Sequence, residues 1–143
     1  MVLLAGTKKS LVIAHRGSSG KAPENSLSAY KQAWREKSDA IEIDLRMTKD
    51  NHFVCCHDNN LNRVSSSKKT ISSLNLSDLK EIDIGLWKSK KFKNESIPTL
   101  EEVLAKTPKR KKIFIEIKGV LKEHENLFKI KEKSFESNFN KYM

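Results

Sequence analysis

The chain has 143 residues, 37% of them hydrophobic, and 28 basic against 18 acidic residues give it a formal net charge of +10. This length suits a single globular domain with a hydrophobic core of its own. A basic excess attracts any polyanion, including nucleic acid, anionic lipid and a phosphate-bearing substrate, so charge alone does not identify the partner.

Several classes of protein are excluded by what the sequence lacks. No stretch approaches the roughly 18 apolar residues of a membrane span, and no zinc finger, helix-turn-helix or aromatic-basic RNA motif accompanies the charge. Cys55 and Cys56 are adjacent, so a disulfide between them would be strained, and we expect two reduced thiols buried in a core. The N-terminal apolar stretch is too short for a signal peptide. We therefore expect a cytoplasmic protein with no membrane span and no nucleic-acid partner.

The first predicted strand, residues 11–14, is a short continuous apolar run, which is typical of a strand buried on both faces. It ends at His15 and Arg16, where a parallel sheet places ligand-binding groups. A helix follows, and its N-cap is either Asn25 or Ser26.

Residues 40–46 alternate between branched apolar and charged residues, which predicts a strand with two different faces. The charged face carries Glu42, Asp44 and Arg46. Burying two carboxylates without a partner is unfavourable, and a hard divalent cation is the simplest partner for them. The alternative is an edge strand whose charges are solvated.

The next apolar run, residues 53–56, predicts a strand that ends at His57 and Asp58. Residues 59–96 are more polar, and we expect an insertion packed over the strand ends, with a short helix near residues 77–82. Trp87 belongs to this insertion, either as part of its core or as a contact for substrate.

The last predicted elements are a helix and a strand within residues 97–118. Thr99 and Glu102 form a capping box at the start of the helix, and Glu116 and Lys118 lie on one face of the strand. The basic run 109–112 between them is expected to be a solvated loop at the far end of the sheet. Residues 119–143 begin with a helix-like pattern and then diverge.

Strands that alternate with helices predict a parallel sheet of βα units. At the carboxyl ends of its strands, side chains suited to phosphoryl transfer would lie close together. Carboxylates can hold a cation that polarises a phosphoryl oxygen, basic groups can neutralise phosphate, and imidazoles can act as general acid and base near neutral pH. The residues concerned are His15, Arg16, Glu42, Asp44, His57, Glu116 and Lys118.

Six ordered motifs resemble the glycerophosphodiester phosphodiesterase family: HRG at 15–17, PEN at 23–25, ExDxR at 42–46, HD at 57–58, IPTLEEV at 97–103 and ExK at 116–118. The resemblance implies a TIM barrel and metal-dependent hydrolysis of a glycerophosphodiester to sn-glycerol 3-phosphate and an alcohol. The glycerol 2-hydroxyl would act as the internal nucleophile through a cyclic phosphate.

The resemblance also implies a role for each residue. Glu42, Asp44 and Glu116 would bind Mg²⁺ or Ca²⁺, and His15 and His57 would be the acid/base pair. Arg16 and Lys118 would contact the phosphate. The Trp87 indole ring would pack on glycerol carbons.

A TIM barrel needs eight strands and about 250 residues, and four strands are predicted here. We therefore expect residues 1–143 to be one incomplete domain, the first half of a barrel with its insertion. Weak or absent activity is expected of such a chain alone, together with self-association or a second half-barrel chain as partner. The alternatives are an inactive remnant, a phosphate-binding or interaction protein, and a relative that acts on lysophospholipids.

Overall fold

The computed structural model describes residues 10–119 of the chain. Four strands and three α-helices lie within this range, and two short 3₁₀ turns lie at Ile71–Ser73 and Lys90–Phe92. The elements are β1 (Ile13–His15), α1 (Leu27–Arg35), β2 (Ala40–Met47), β3 (Phe53–Cys55), α2 (Leu76–Lys80), α3 (Leu100–Lys106) and β4 (Lys112–Ile117). The helix-like pattern predicted at the start of residues 119–143 lies outside the described residues from position 120 onwards.

β2 is the centre of a four-stranded sheet. β1 pairs in parallel with its first residues, at Ala40–Glu42, and β4 runs parallel to it from Ala40 to Leu45. β3 is antiparallel and pairs with the other end of β2, at Leu45–Met47. The prediction of parallel strands is thus right for β1, β2 and β4 and wrong for β3. A parallel connection needs a dozen or more residues, and only a short turn separates β2 from β3.

The alternation predicted for residues 40–46 is confirmed. The apolar side chains Ile41, Ile43 and Leu45 are fully buried in a core cluster. Residues of α1 and α3 complete that cluster, so both helices cover one face of the sheet. The charged side chains of β2 therefore lie on the opposite face, as their period of two requires.

Local capping signals fix where the two covering helices begin. The Ser26 hydroxyl accepts a hydrogen bond from the Ala29 N–H at the start of α1, which decides between the two predicted N-caps. Thr99 and Glu102 form the predicted capping box at the start of α3. Each cap satisfies N–H groups that have no partner within the helix.

A second cluster of buried apolar residues lies under residues 59–96. Its members come from β3, the following loops, α2 and the residue before Pro98: Val54, Cys56, Leu61, Val64, Ile71, Leu74, Leu79, Ile84 and Ile97. Neighbouring Cys55 belongs to the first cluster, so the two thiols face different cores. Both are free and buried, as predicted, and burial raises the pKa of each to about 12.

The prediction that residues 11–14 are buried on both faces is wrong. Leu11, Val12 and Ile13 are exposed, Val12 at 61%. Within residues 10–119, β1 pairs only with β2, which leaves one side of this short strand in solvent. On β4, the other outer strand, Phe114 and Ile115 are also exposed.

Within the same range, no helix has the length and apolar character that crossing a bilayer requires.

Candidate metal and phosphate site

Three carboxylates meet on the charged face of the sheet. Glu42 and Asp44 lie two positions apart on β2, and Glu116 stands beside Asp44 in the register of β4. One oxygen from each lies within 4.8 Å of the others. The sheet therefore brings together the three acidic residues that the sequence singled out.

Two oxygens of this cluster lack a hydrogen-bond donor. Glu42 Oε1 and Asp44 Oδ1 are buried without a hydrogen bond, although the Lys118 ammonium lies 3.3 Å from Asp44 Oδ1. Burial raises the pKa of Glu42, and the negative charge of Asp44 adds to that effect. Buried oxygens that need positive charge fit a hard divalent cation, which selects carboxylate ligands. These residues could hold such an ion.

Two cationic side chains border the cluster. The Arg16 guanidinium forms an ion pair with Asp44, with 3.0 Å between Nε and Oδ2, and a second one with Glu24. Lys118 Nζ donates to Glu116, and this hydrogen bond, together with Asp44, raises the pKa of Lys118. Arg16 and Lys118 both lie next to the carboxylates, where they can also attract a phosphate group.

Asp44 is fixed in place by Asn25. The Asn25 side-chain amide donates to Asp44 Oδ2 at 2.8 Å and its carbonyl oxygen accepts from the Asp44 backbone N–H at 3.2 Å. The Tyr30 hydroxyl donates to the same carbonyl oxygen at 3.1 Å. This bidentate contact orients a fully buried carboxylate.

The backbone of the loop after β1 supports Glu42. Arg16 has a positive φ of 57° and its N–H donates to Glu42 Oε2 at 3.0 Å. Gly17 follows with φ 78°, and a Cβ there would lie 2.7 Å from the backbone carbon of Ala29. Only glycine accommodates both this conformation and this close approach to α1.

The two predicted acid/base histidines contact different carboxylates. His15 Nε2 is 3.8 Å from Glu42 Oε2, and its side chain is 68% exposed. His57 follows β3, and its Nδ1 is 2.7 Å from Asp58 Oδ1. Its backbone carbonyl accepts from Arg46 Nε on β2, which ties the segment after β3 to the sheet.

Arg63 connects His57 with the other half of the site. Its guanidinium donates to Asp58 Oδ2 at 2.7 Å and makes a bidentate contact with Glu24. Asp58 in turn contacts His57, and Glu24 contacts Arg16. Partial burial acts to raise the pKa of both carboxyl groups. The hydrogen bonds from His57 and Arg63 outweigh it and lower the pKa of Asp58, and Arg63 and Arg16 lower that of Glu24. Both carboxylates therefore stay ionised between their partners.

Trp87 lies in the insertion, and its indole N–H donates to the Ile84 carbonyl. The neighbouring Lys88 donates to the Ser19 carbonyl and lies over the Trp87 ring. This contact joins the insertion to the loop that follows β1. The structure places Trp87 near that loop and leaves this residue 42% exposed.

Sequence reasoning missed how Asn25, Asp58 and Arg63 support the site. The sequence predicts Asn25 as one of two possible N-caps, whereas Ser26 caps α1 and Asn25 holds Asp44. The adjacency of Asp58 to His57 was a usable signal, because carboxylates commonly orient an imidazole. Arg63 lies in a polar stretch without periodicity, where nothing indicated a partner 39 positions away in Glu24.

Three parallel strands, helices that cover one face of the sheet and a carboxylate cluster on the opposite face define an α/β protein, as expected for part of a TIM barrel. The model of the Glycerophosphoryl diester phosphodiesterase family matches residues 15–142. The chain belongs to this family.

Named relatives agree with that assignment. The chain is 36% identical over 117 residues to a glycerophosphodiester phosphodiesterase of Bacillus subtilis, covering 76% of this chain and 40% of the relative. It is 42% identical over 95 residues to one from Caldanaerobacter subterraneus, covering 66% of this chain and 39% of the relative.

Solved structures of the family have the same fold. The glycerophosphodiester phosphodiesterase of Agrobacterium tumefaciens gives a TM-score of 0.75 at 29% identity, covering 78% of this chain and 48% of that one. An Oleispira antarctica phosphodiesterase, solved in complex with sn-glycerol-3-phosphate, gives 0.73 at 36% identity, covering 76% and 44%. The chain thus spans less than half the length of each of these four relatives.

Proposed function

We propose that this chain carries the catalytic half of a metal-dependent phosphodiesterase that hydrolyses glycerophosphodiesters to sn-glycerol 3-phosphate and an alcohol. The observation that carries the proposal is the meeting of Glu42, Asp44 and Glu116 within 4.8 Å, with two buried oxygens that lack hydrogen-bond donors. The product bound by the Oleispira antarctica relative is consistent with this substrate class.

The three carboxylates would hold Mg²⁺ or Ca²⁺, and their oxygens suit either ion. When bound, such an ion polarises a phosphoryl oxygen. Arg16 and Lys118 would bind the remaining phosphate oxygens, since both already lie against the carboxylates as charged groups. A phosphate would then be held between them and the cluster.

His15 and His57 would move the protons. One imidazole would take the proton of the glycerol 2-hydroxyl as its oxygen attacks phosphorus, and the other would donate a proton to the alcohol as its bond to phosphorus breaks. Water would then open the resulting cyclic phosphate to give sn-glycerol 3-phosphate. His57 is held by Asp58, which fixes the orientation of its ring. His15 is exposed and next to Glu42, where it can reach a substrate that contacts the cluster.

Trp87 remains a predicted contact for the glycerol carbons. Its indole N–H is already bonded to the Ile84 carbonyl, so the ring would offer an apolar surface and no donor. Cytoplasmic localisation likewise remains a prediction from the sequence.

We also propose that β1 and β4 pair with further strands, from a second copy or from a separate half-barrel chain. Each pairs only with β2 within residues 10–119, and both carry exposed apolar side chains. Replacing Val12 with Lys would place a charge on this surface and should shift the molecular mass measured by light scattering after size exclusion towards the monomer.

The proposed activity is tested with glycerophosphocholine and either Mg²⁺ or Ca²⁺, by measuring the release of sn-glycerol 3-phosphate. We expect weak release by the parent chain, which holds only part of the domain, and none by Glu42→Gln. Glu81→Gln, which changes an exposed carboxylate after α2, should keep the parent rate. No release by the parent chain under either cation, or equal rates in the two variants, would contradict the proposal.

A further inference from the structure

An exposed apolar pair lies beside a lysine-rich segment in the insertion. Leu86 and Trp87 are 47% and 42% exposed, and the segment from Leu86 to Lys93 contains four lysines and no acidic residue. Lys90, Lys91 and Lys93 are exposed. We call residues 83–95 the lysine loop.

The lysine loop is held in one shape by its own hydrogen bonds. Asp83 accepts from the backbone N–H groups of Gly85, Leu86 and Asn94, and the Ile84 N–H donates to the Glu95 carbonyl. The backbone of Gly85 packs against that of Phe92, where a Cβ would lie 2.0 Å from the Phe92 oxygen. The exposed side chains are therefore presented on a preorganised loop, which lowers the entropy lost on binding.

The lysine loop is also anchored beside the candidate site. Lys88 Nζ donates to the Ser19 carbonyl at 2.7 Å, and the Ser19 hydroxyl donates to the His15 carbonyl at 3.0 Å. At its other end, Glu95 accepts from the backbone N–H and hydroxyl of Ser28, in α1. The apolar pair and the lysines thus lie near the loop that carries His15 and Arg16.

We propose that the lysine loop docks the protein on an anionic lipid surface. Indole rings favour the boundary between headgroups and acyl chains, and an exposed Leu beside Trp87 adds apolar area that gains by leaving water. Lysines next to that pair gain attraction from anionic headgroups, and their long apolar stems let the ammonium groups reach them. Exposed apolar side chains and positive charge together fit an anionic lipid surface better than positive charge alone does.

Docking would place the phosphate site at a membrane surface through the lysine loop. Two weak signals combine in such binding, one hydrophobic and one electrostatic, and each is insufficient by itself. The attraction extends over about a Debye length, roughly 8–10 Å at physiological ionic strength. Binding should therefore be reversible and sensitive to salt.

The chain offers a matched control for the charge. Lys109, Arg110 and Lys112 are exposed and precede or begin β4, at the opposite end of the sheet from the carboxylates. Lys112 pairs in register with Ala40, the first residue of β2. Reversing these three charges changes the net charge by the same amount as reversing Lys90, Lys91 and Lys93.

The test is co-sedimentation of the full chain with vesicles of phosphatidylcholine and phosphatidylglycerol mixed two to one, and with vesicles of phosphatidylcholine alone. We expect binding to the anionic vesicles only. Changing Lys90, Lys91 and Lys93 to Glu should weaken it by a factor of about 100 or more, since each lysine contributes about 1 kcal/mol near such a surface. The control triple, with Lys109, Arg110 and Lys112 changed to Glu, should stay within about threefold of the parent chain.

A second variant separates a lipid surface from any other polyanion. Leu86→Ser combined with Trp87→Ser keeps every lysine and should weaken vesicle binding about tenfold. Unchanged binding by this variant would overturn the proposal, because a purely electrostatic contact, nucleic acid included, behaves in that way. Equal losses in the two charge-reversed triples, or no binding of the parent chain to anionic vesicles, would also overturn it. Co-sedimentation measures binding without turnover, and the diacylglycerol 2-oxygen of both lipids is acylated, so these outcomes do not depend on the proposed hydrolysis.

Discussion

Asn25 should stabilise the fold far more than its small side chain suggests, because it makes three hydrogen bonds in a buried setting. They join its side chain to Asp44 Oδ2, to the Asp44 backbone N–H and to the Tyr30 hydroxyl. Its φ is 53°, in the left-handed region where alanine is disfavoured. We expect Asn25→Ala to lower the free energy of unfolding substantially.

The expected loss can be worked out contact by contact. The bond to a carboxylate contributes about 1.5–3 kcal/mol and the two neutral bonds about 0.5–1.5 kcal/mol each. Placing alanine in the left-handed region costs a further 1 kcal/mol or so. The sum is roughly 3.5–7 kcal/mol, which is a large share of the roughly 5–15 kcal/mol stability of a typical domain.

Urea unfolding followed by circular dichroism measures this loss. Asn94 provides a matched control, because its φ is 66°, it is exposed and its recorded bond to Asp83 is made by the backbone. Asn94→Ala should therefore show only the backbone cost of about 1 kcal/mol. If Asn25→Ala loses no more than Asn94→Ala, the three hydrogen bonds do not stabilise the fold and the reasoning is refuted.

Three further predictions concern the same site. Arg63→Gln should reduce the loss of stability on acidification, because Arg63 helps to lower the folded-state pKa values of Glu24 and Asp58. The stability that Arg63 contributes is present at pH values above the ordinary carboxyl pKa near 4, and it disappears as the pH falls through the lowered pKa values. Urea midpoints at neutral and acidic pH should differ less in the variant, and an unchanged difference would contradict this linkage. Gly17→Ala should lower the free energy of unfolding by about 2–4 kcal/mol, from a disfavoured φ and a clash with Ala29; a change under 1 kcal/mol in urea unfolding would refute it. Ca²⁺ or Mg²⁺ at about 100 times its Kd should stabilise the parent chain by about 2.7 kcal/mol, seen as a raised melting temperature that chelation reverses; Glu42→Gln should lose the shift, and an equal shift in that variant would argue against the carboxylate cluster as the cation site.

The features predicted correctly from the sequence depend on neighbours along the chain. The period of two in residues 40–46 places apolar and charged side chains on opposite faces of any strand, whatever surrounds it. The capping box of Thr99 and Glu102 is also complete within four residues. Such patterns are readable because the contacts they describe are local.

The features that were missed depend on the arrangement of distant segments. Residues 11–13 have the composition of a buried strand, yet they are exposed because only β2 pairs with them within residues 10–119. β3 looked like another parallel strand, although the short turn before it permits only an antiparallel return. The Arg63 contacts with Glu24 span 39 positions, and no local pattern encodes them.

The positive φ of Arg16 separates two roles at a single position. Its main-chain amide steadies Glu42, while its side chain faces Asp44 and Glu24. Asparagine or glycine tolerates this conformation, so either could replace arginine and leave the amide where it is. The guanidinium can thus be deleted while Glu42 keeps its hydrogen bond from the backbone of residue 16. Anion recognition and carboxylate alignment can therefore be varied independently at this position.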